Sequence, residues 1–248
     1  MALWDGFTDY LHHFLFGIYP YIAAGVYLIG SLIRFDRDQY TWRSGSSQML
    51  RSGQLRWGSN LFHFSILFLF VGHFVGLLTP HWAYEWIIDA GTKQRLAVIA
   101  GGTAGVFCFV GLSLLLHRRL FDPRIRRTST MIDIVILALL WVQLVLGMIT
   151  LPYSISHSDG GTMLALSAWA QSIVTFQAGA ADMVRGLALP FQMHLVLGMS
   201  LFLVTPFSRL VHIFSAPVWY LFRSWQIVRV RGGATRRPGP VQRPGVVK

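Results

Sequence analysis

Five stretches of the chain, roughly residues 16–33, 59–80, 96–116, 131–151 and 187–213, are apolar almost throughout, and polar or charged stretches separate them. Each approaches or exceeds the ~20 residues that an α-helix needs to cross a hydrocarbon core of ~30 Å. A backbone in lipid has to satisfy its own N–H and C=O groups, so runs of this length read as helices. The pattern predicts an all-α integral membrane protein, a five-transmembrane-helix bundle.

The polar intervals refine this. Residues 1–15, MALWDGFTDYLHHFL, are aromatic with two acids and read as an interfacial lead-in, with His12 and His13 exposed because adjacent residues do not share a helix face. Pro20 falls in the first turn of the first segment, where a missing N–H is harmless. Pro80 ends the second, and His81, Trp82, Tyr84 and Trp86 form an aromatic belt behind it. The third contains GGTAG, whose Gly101 and Gly105 suit close helix packing or room for a flat cofactor. Asp133 and Gln143 are the only strongly polar positions of the fourth, and Asp133 suits a helix N-terminus. In the long connection 152–186, Leu164, Leu166, Trp169 and Ile173 recur at helical spacing, predicting a short amphipathic helix on the outer surface, placed to cover a site. Pro206 interrupts the fifth segment before His212.

Composition agrees with a membrane location: 54% of the 248 residues are hydrophobic and 12% charged, outside the range of soluble domains. The net charge of +11 is set by topology and does not mark a nucleic-acid surface. Of 21 Lys and Arg, 18 fall in the intervals on one side, and only Lys93, Arg95 and Arg185 on the other. The positive-inside rule places the N-terminus outside and the C-terminus in the cytoplasm, in a multi-pass protein of the cytoplasmic (inner) membrane. No removable signal peptide is expected, since no cation precedes the first apolar run. Residues 1–217 form the membrane domain, and 218–248 a basic cytoplasmic segment whose Pro-, Gly- and Arg-rich end reads as disordered and suited to anionic lipid or a partner. The Arg-rich interval 34–58 is a solvated loop or a docking surface for a cytoplasmic partner. A single cysteine, Cys108, excludes an internal disulfide, an iron–sulfur cluster and covalent haem attachment.

His81, His117 and His157 sit outside the spans or at their ends, which leaves four imidazoles within them: His63 and His73 in NLFHFSILFLFVGHFVGLL, His194 and His212 in FQMHLVLGMSLFLVTPFSRLVHIF. A polar side chain without a partner in lipid costs free energy. The second and fifth segments run in opposite directions, so His63 pairs with His212 towards the inner leaflet and His73 with His194 towards the outer. Two imidazoles from facing helices are what a bis-histidine haem needs in a bundle. Interhelical hydrogen bonds or a proton path would use the same residues. The spacings do not match: His63 and His73 are ~15 Å apart along a helix, while His194 and His212 would be ~27 Å apart if theirs were unbroken. Tilt, haem offset or a bend at Pro206 has to absorb the difference.

In IYPYIAAGVYLIGSLIRFDRDQYTWRSGSSQML, NLFHFSILFLFVGHFVGLLTPHWAYE, RRLFDPRIR and HLVLGMSLFLVTPFSRLVHIFSAPVWYL the chain resembles the membrane cytochrome b (gamma) subunits of respiratory nitrate reductases. The connection 152–186 and the tail after 231 resemble them less. The resemblance implies two non-covalent, bis-histidine haems b, a distal one on His73 and His194 and a proximal one on His63 and His212. It implies a quinol pocket involving Lys93 and Gly72, with quinol or menaquinol as substrate. Electrons would pass from distal to proximal haem and on to an iron–sulfur beta subunit, with protons released outside. Nitrate would be reduced on a molybdenum-cofactor alpha subunit. Arg118 and Arg119 become candidates for haem propionates, beside their ordinary reading as flanking cations. Lys93 by itself reads equally well as a snorkelling interfacial cation. A quinone-linked cytochrome b of another reductase, or a haem-free transporter, would share parts of the pattern.

Overall fold

The computed structural model describes residues 2–38, 52–157 and 159–215. The middle of the Arg-rich interval and the tail from 216 lie outside these, and with them the docking and lipid-binding readings. Within the described residues the regular structure is helical, and five stretches are long and apolar enough to span a membrane: Trp4–Arg37, Gly53–Leu78, Ala90–Phe121, Met131–Ser156 and Leu189–Phe207.

The first span begins earlier than the apolar pattern indicates. Helix α1 (Ala2–His13) runs through a π turn (Phe14–Ile18) into α2 (Tyr19–Asp38), so residues 1–15 are not a separate lead-in and Pro20 is not in a first turn. A proline inside a helix leaves a carbonyl one turn back without its N–H. Here the π turn lets the Tyr19 N–H reach Phe14 O, and the buried indole Nε1 of Trp169 donates to Phe16 O at 2.9 Å. His13 is exposed as expected, whereas His12 is half-buried with its Nε2 2.9 Å from Ala181 O.

Helix α3 (Ser52–Leu78) ends before Pro80, and the Gln171 amide donates to its last carbonyls, Leu77 O at 3.1 Å and Thr79 O at 3.3 Å. Asp89 caps α4 (Ala90–Phe121) by accepting from Thr92 N at 2.6 Å, and the hydrogen bonds from Thr92 hold its carboxyl below the usual value. The short α5 (Pro123–Arg127) leads to α6 (Met131–Ser156), where Thr130 and Asp133 form a capping box. Helix α7 (Gly161–Val174) is the short helix expected in 152–186, but it does not lie on the surface with one wet face: Ser167, Trp169, Ala170 and Ser172 are buried, and it packs against α3, α4 and α8 (Ala180–Met183). Its N-cap Gly160 has φ 89°, and a Cβ there would meet Ala90 C at 2.7 Å, so only glycine fits. Helix α8 precedes α9 (Leu189–Val204). The fifth span does not stay α-helical to 213: two 3-10 turns follow, Thr205–Phe207 and Arg209–Ser215, separated by an extended Ser208.

Packing runs α3 to α4, α4 to α6, α6 to α9 and α9 to α2. The tightest approach joins α3 and α4, but not through GGTAG. Of that motif, Gly105 is buried against Met148 of α6, while Gly101 has nothing within 4 Å of where a Cβ would be; a Cβ on Gly111 would meet Phe62 N at 2.5 Å and Gly58 O at 2.9 Å. A second cluster, with Phe16, Ala23, Trp169, Ala181, Val184 and Met199, packs α2, α7, α8 and α9 together at the N-terminal face of the bundle. Large apolar side chains such as Phe64, Phe68, Phe70 and Phe74 of α3 are exposed, as lipid-facing positions would be.

Candidate functional site

Each of the four histidines has a defined seat. His63 and His73 lie on α3, His194 on α9, and His212 on the second 3-10 turn. The rings come together in the two pairs that antiparallel topology predicts. His63 and His212 have ring centroids 6.3 Å apart with planes at 72°, and His73 and His194 lie 6.1 Å apart at 39°.

The Nδ1 atoms fix the chemistry of these pairs. His63 Nδ1 is 2.7 Å from Ser59 O, His73 Nδ1 2.7 Å from Leu69 O, His194 Nδ1 3.1 Å from Gln143 O, and His212 Nδ1 2.6 Å from Arg209 O. A carbonyl only accepts, so Nδ1 is the donor in all four rings, and a neutral imidazole bonded in this way has its lone pair on Nε2. That is the arrangement of a metal-ligating imidazole oriented by a neighbouring carbonyl. Two imidazoles bound to one metal, at ~2 Å per bond, would place their centroids about 6 Å apart, as both pairs do. Among the described residues no three His, Cys, Asp or Glu side chains converge on a bare ion. Two imidazoles per site fit an iron whose other positions a macrocycle fills.

Lys93 stands in the first turn of α4. Its Nζ donates to Gly76 O at 3.3 Å and lies 3.6 Å above the ring of the buried Tyr84. Burial and the neighbouring Glu85 push the Tyr84 phenol above its usual value. Gly76 is less than one turn beyond His73 on α3, so Lys93 docks beside the His73–His194 pair. Gly72, next to His73, has nothing within 4 Å of where a Cβ would be, which leaves that side of α3 open. The adjacent Gln94 is buried and ties the region together: its amide donates to Ser154 O at 2.8 Å and His157 O at 2.6 Å, and its carbonyl oxygen accepts from Met163 N at 3.3 Å. Gln94 belongs to no motif in the sequence. Its one signal is a glutamine at the edge of a span, where terminal carbonyls need a donor.

At the opposite, basic face, Asp133 is engaged by two cations. Arg209 Nε pairs with one carboxylate oxygen, and Arg119 Nη1 lies 3.5 Å from the other. Arg119 thus has a carboxylate partner within the chain, which accounts for it without a propionate, and Arg118 is buried on α4. The acid expected to cap a helix also ties the segment bearing His212 to α6.

The model of the nitrate reductase gamma subunit family matches residues 12–231. The chain is similar to the respiratory nitrate reductase 1 gamma chain of Escherichia coli (strain K12), 55% identical over 90% of this chain and 99% of that one. It is 51% identical to the respiratory nitrate reductase 2 gamma chain of the same strain, over 90% and 99% of the two chains. To the nitrate reductase gamma chain of Bacillus subtilis (strain 168) it is 36% identical, over 88% and 97%.

Proposed function

We infer from this site, in a chain that belongs to the nitrate reductase gamma subunit family, that the protein is the quinol-oxidising, dihaem membrane subunit of a respiratory nitrate reductase. The observation that carries this reading is the pair of imidazole couples, 6.1 and 6.3 Å between centroids, with every Nδ1 against a carbonyl. Imidazoles that served only as interhelical hydrogen-bond donors would not need to face one another in couples with each Nδ1 already bonded to a carbonyl.

His73 and His194 hold the distal haem b, and His63 and His212 the proximal one. Bound there, the two haems supply one-electron carriers at two depths of the membrane. The chain's own residues do the rest. Quinol is an apolar ring with two oxygens, and it reaches the open side of α3 at Gly72 from the lipid. The Lys93 ammonium, held by Gly76 O and the Tyr84 ring, presents a donor to one quinol oxygen and favours its deprotonated form. The excess of Lys and Arg in the sequence on the C-terminal side of the bundle supports a cytoplasmic position for that side. The quinol protons therefore leave at the N-terminal, outer face, while the electrons move inward. Each electron moved inward separates charge worth roughly 2.3 kcal/mol per 100 mV, so turnover conserves energy. The chain has one cysteine and no cluster ligands of its own. The electrons pass to an iron–sulfur beta subunit, and nitrate is reduced on a molybdenum-cofactor alpha subunit.

Isolation of the complex in mild detergent, with subunit identification and reduced-minus-oxidised spectra after quinol addition, tests this. Two b-type signals beside a nitrate-reducing molybdoenzyme are expected. Absence of b-type bands would sink the haem reading, and a different partner reductase would sink the assignment of the acceptor.

A further inference from the structure

The four ligands are held in two different ways. On α3 each histidine is oriented by its own helix, since Ser59 and Leu69 are each one turn before the ring they hold. His194 is held from α6, and His212, though its ring bonds one turn back within its own 3-10 segment, sits on a segment tied to α6.

His194 Nδ1 donates to Gln143 O on α6 and not to a carbonyl of α9. The Gln143 side chain returns the contact, its Nε2 donating to His194 O at 3.0 Å. The same amide stands 3.5 Å from His194 Nε2, too long for a strong hydrogen bond. Two glycines make the fit possible: a Cβ on Gly147 would lie 2.9 Å from His194 Cε1, and one on Gly198 would lie 3.0 Å from Gln143 Nε2. The oxygen of this side-chain amide, Gln143 Oε1, is buried and has no hydrogen-bond partner. A buried amide oxygen left unpaired costs about 1–3 kcal/mol, a cost that makes sense for a group kept where it is to hold another.

At the other end, His212 Nδ1 donates to the carbonyl of Arg209, and the side chain of Arg209 is paired with Asp133 of α6. The Asp133 side chain is 2% exposed, and its other oxygen faces Arg119 and accepts from Thr130 N at 2.9 Å. The carboxylate is therefore fixed before it reaches the 3-10 turn. Such turns are short and poorly hydrogen-bonded, so this segment relies on side-chain anchors: the buried Val211, the ring of Phe214 against Tyr27, and the Arg209–Asp133 pair, which ties it to α6.

We propose that Gln143 and Asp133, the two strongly polar residues of α6, are positioning residues for the two ligands contributed by the C-terminal half of the site: Gln143 for His194, and Asp133, through Arg209, for His212. This rests on the dihaem reading. It adds that each residue governs one haem and not the other. Gln143 and Asp133 touch the ligand or the segment carrying it, and act on the metal only through the histidine.

The test uses the intact complex, comparing wild type with Gln143→Leu and Asp133→Asn. The readouts are the stoichiometry of each b-type haem, the low-spin electron paramagnetic resonance signal of each, and the midpoint potential of each. Both substitutions leave in place the backbone carbonyl that accepts from each Nδ1 and remove the side-chain tie that positions it, Gln143 Nε2 to His194 O or Asp133 to Arg209. Gln143→Leu should shift or deplete the distal signals with the proximal ones unchanged, and Asp133→Asn should do the reverse. Gly147→Ala, which presses on the His194 ring while leaving Gln143 in place, should reproduce the distal effect. A general folding defect would lower both signals together, and that outcome, or no change in either variant, overturns the proposal while leaving the dihaem reading intact. A wild type without two b-type signals would overturn the dihaem reading and this proposal with it.

Discussion

The sharpest test of the bundle is a methyl group on Gly111. A Cβ there would stand 2.5 Å from Phe62 N, 2.9 Å from Gly58 O and 2.9 Å from Leu61 Cβ. Two of these are backbone atoms of α3, so no rotamer change relieves them and the helices have to part. Overpacking of this kind costs ~1–3 kcal/mol, and a rigid backbone on the receiving side puts it at about 3. Alanine in place of glycine returns up to ~1 kcal/mol of helix propensity, leaving a net loss of about 2. Gly101, ten positions earlier on the same helix, has open space around it, so Gly101→Ala should gain that ~1 kcal/mol with no clash. The two variants should differ by about 3 kcal/mol, or ~6–12 °C in the thermal midpoint for a chain of this size. The assay is the amount of this subunit left soluble after heating the detergent-solubilised complex. Phe62 adjoins His63, so Gly111→Ala should also disturb the proximal haem spectrum. If it melts with or above Gly101→Ala and leaves that spectrum normal, the packing argument is wrong.

Three further outcomes are expected. His212→Ala should remove the proximal haem signal and stop electron delivery to nitrate while the distal haem is still reduced by quinol; loss of the distal signal instead would reject the pairing. Lys93→Ala should lower quinol oxidation with both haem signals retained, and unchanged turnover would leave Lys93 an interfacial anchor. Trp169→Phe removes the donor to the carbonyl that Pro20 leaves unpaired, and should destabilise the chain by about 1–3 kcal/mol. A thermal midpoint equal to wild type would mean that Phe16 O finds another partner.

The spans and the imidazole pairing were legible because lipid permits little else: a long apolar run must be helical, and antiparallel direction sorts four histidines into two levels. The start of the first span was not, since an aromatic, acid-containing segment reads the same whether it lies in the interface or extends a crossing helix. Gly111 is less conspicuous than GGTAG, and a single sequence does not say which face of an apolar helix meets which neighbour. The roles of Gln94 and Gln171 were hidden for a related reason. Their partners are terminal carbonyls of other helices, which acquire an address only when the bundle is assembled. Asp133 was readable as a cap, but its tie to Arg209 depends on where the broken fifth span returns.

That break resolves the mismatch between ten residues on one helix and eighteen on the other. From His194 to the end of α9 at Val204 the chain is α-helical for ten residues, the same interval that separates His63 from His73. The remaining eight, to His212, are spent in two 3-10 turns around an extended Ser208. Continued as a straight α-helix they would carry His212 about 12 Å further along the axis, beyond the level of His63. Helix α2 is built to hold the break. A Cβ on Gly30 would meet Pro206 Cβ at 2.9 Å, and one turn later Arg34 donates to the carbonyls that the break exposes, Pro206 O at 2.6 Å and Ser208 O at 2.9 Å. An unbroken fifth helix would satisfy its own backbone and form one imidazole pair. The proline, with Gly30 and Arg34 to receive it, is what allows the second.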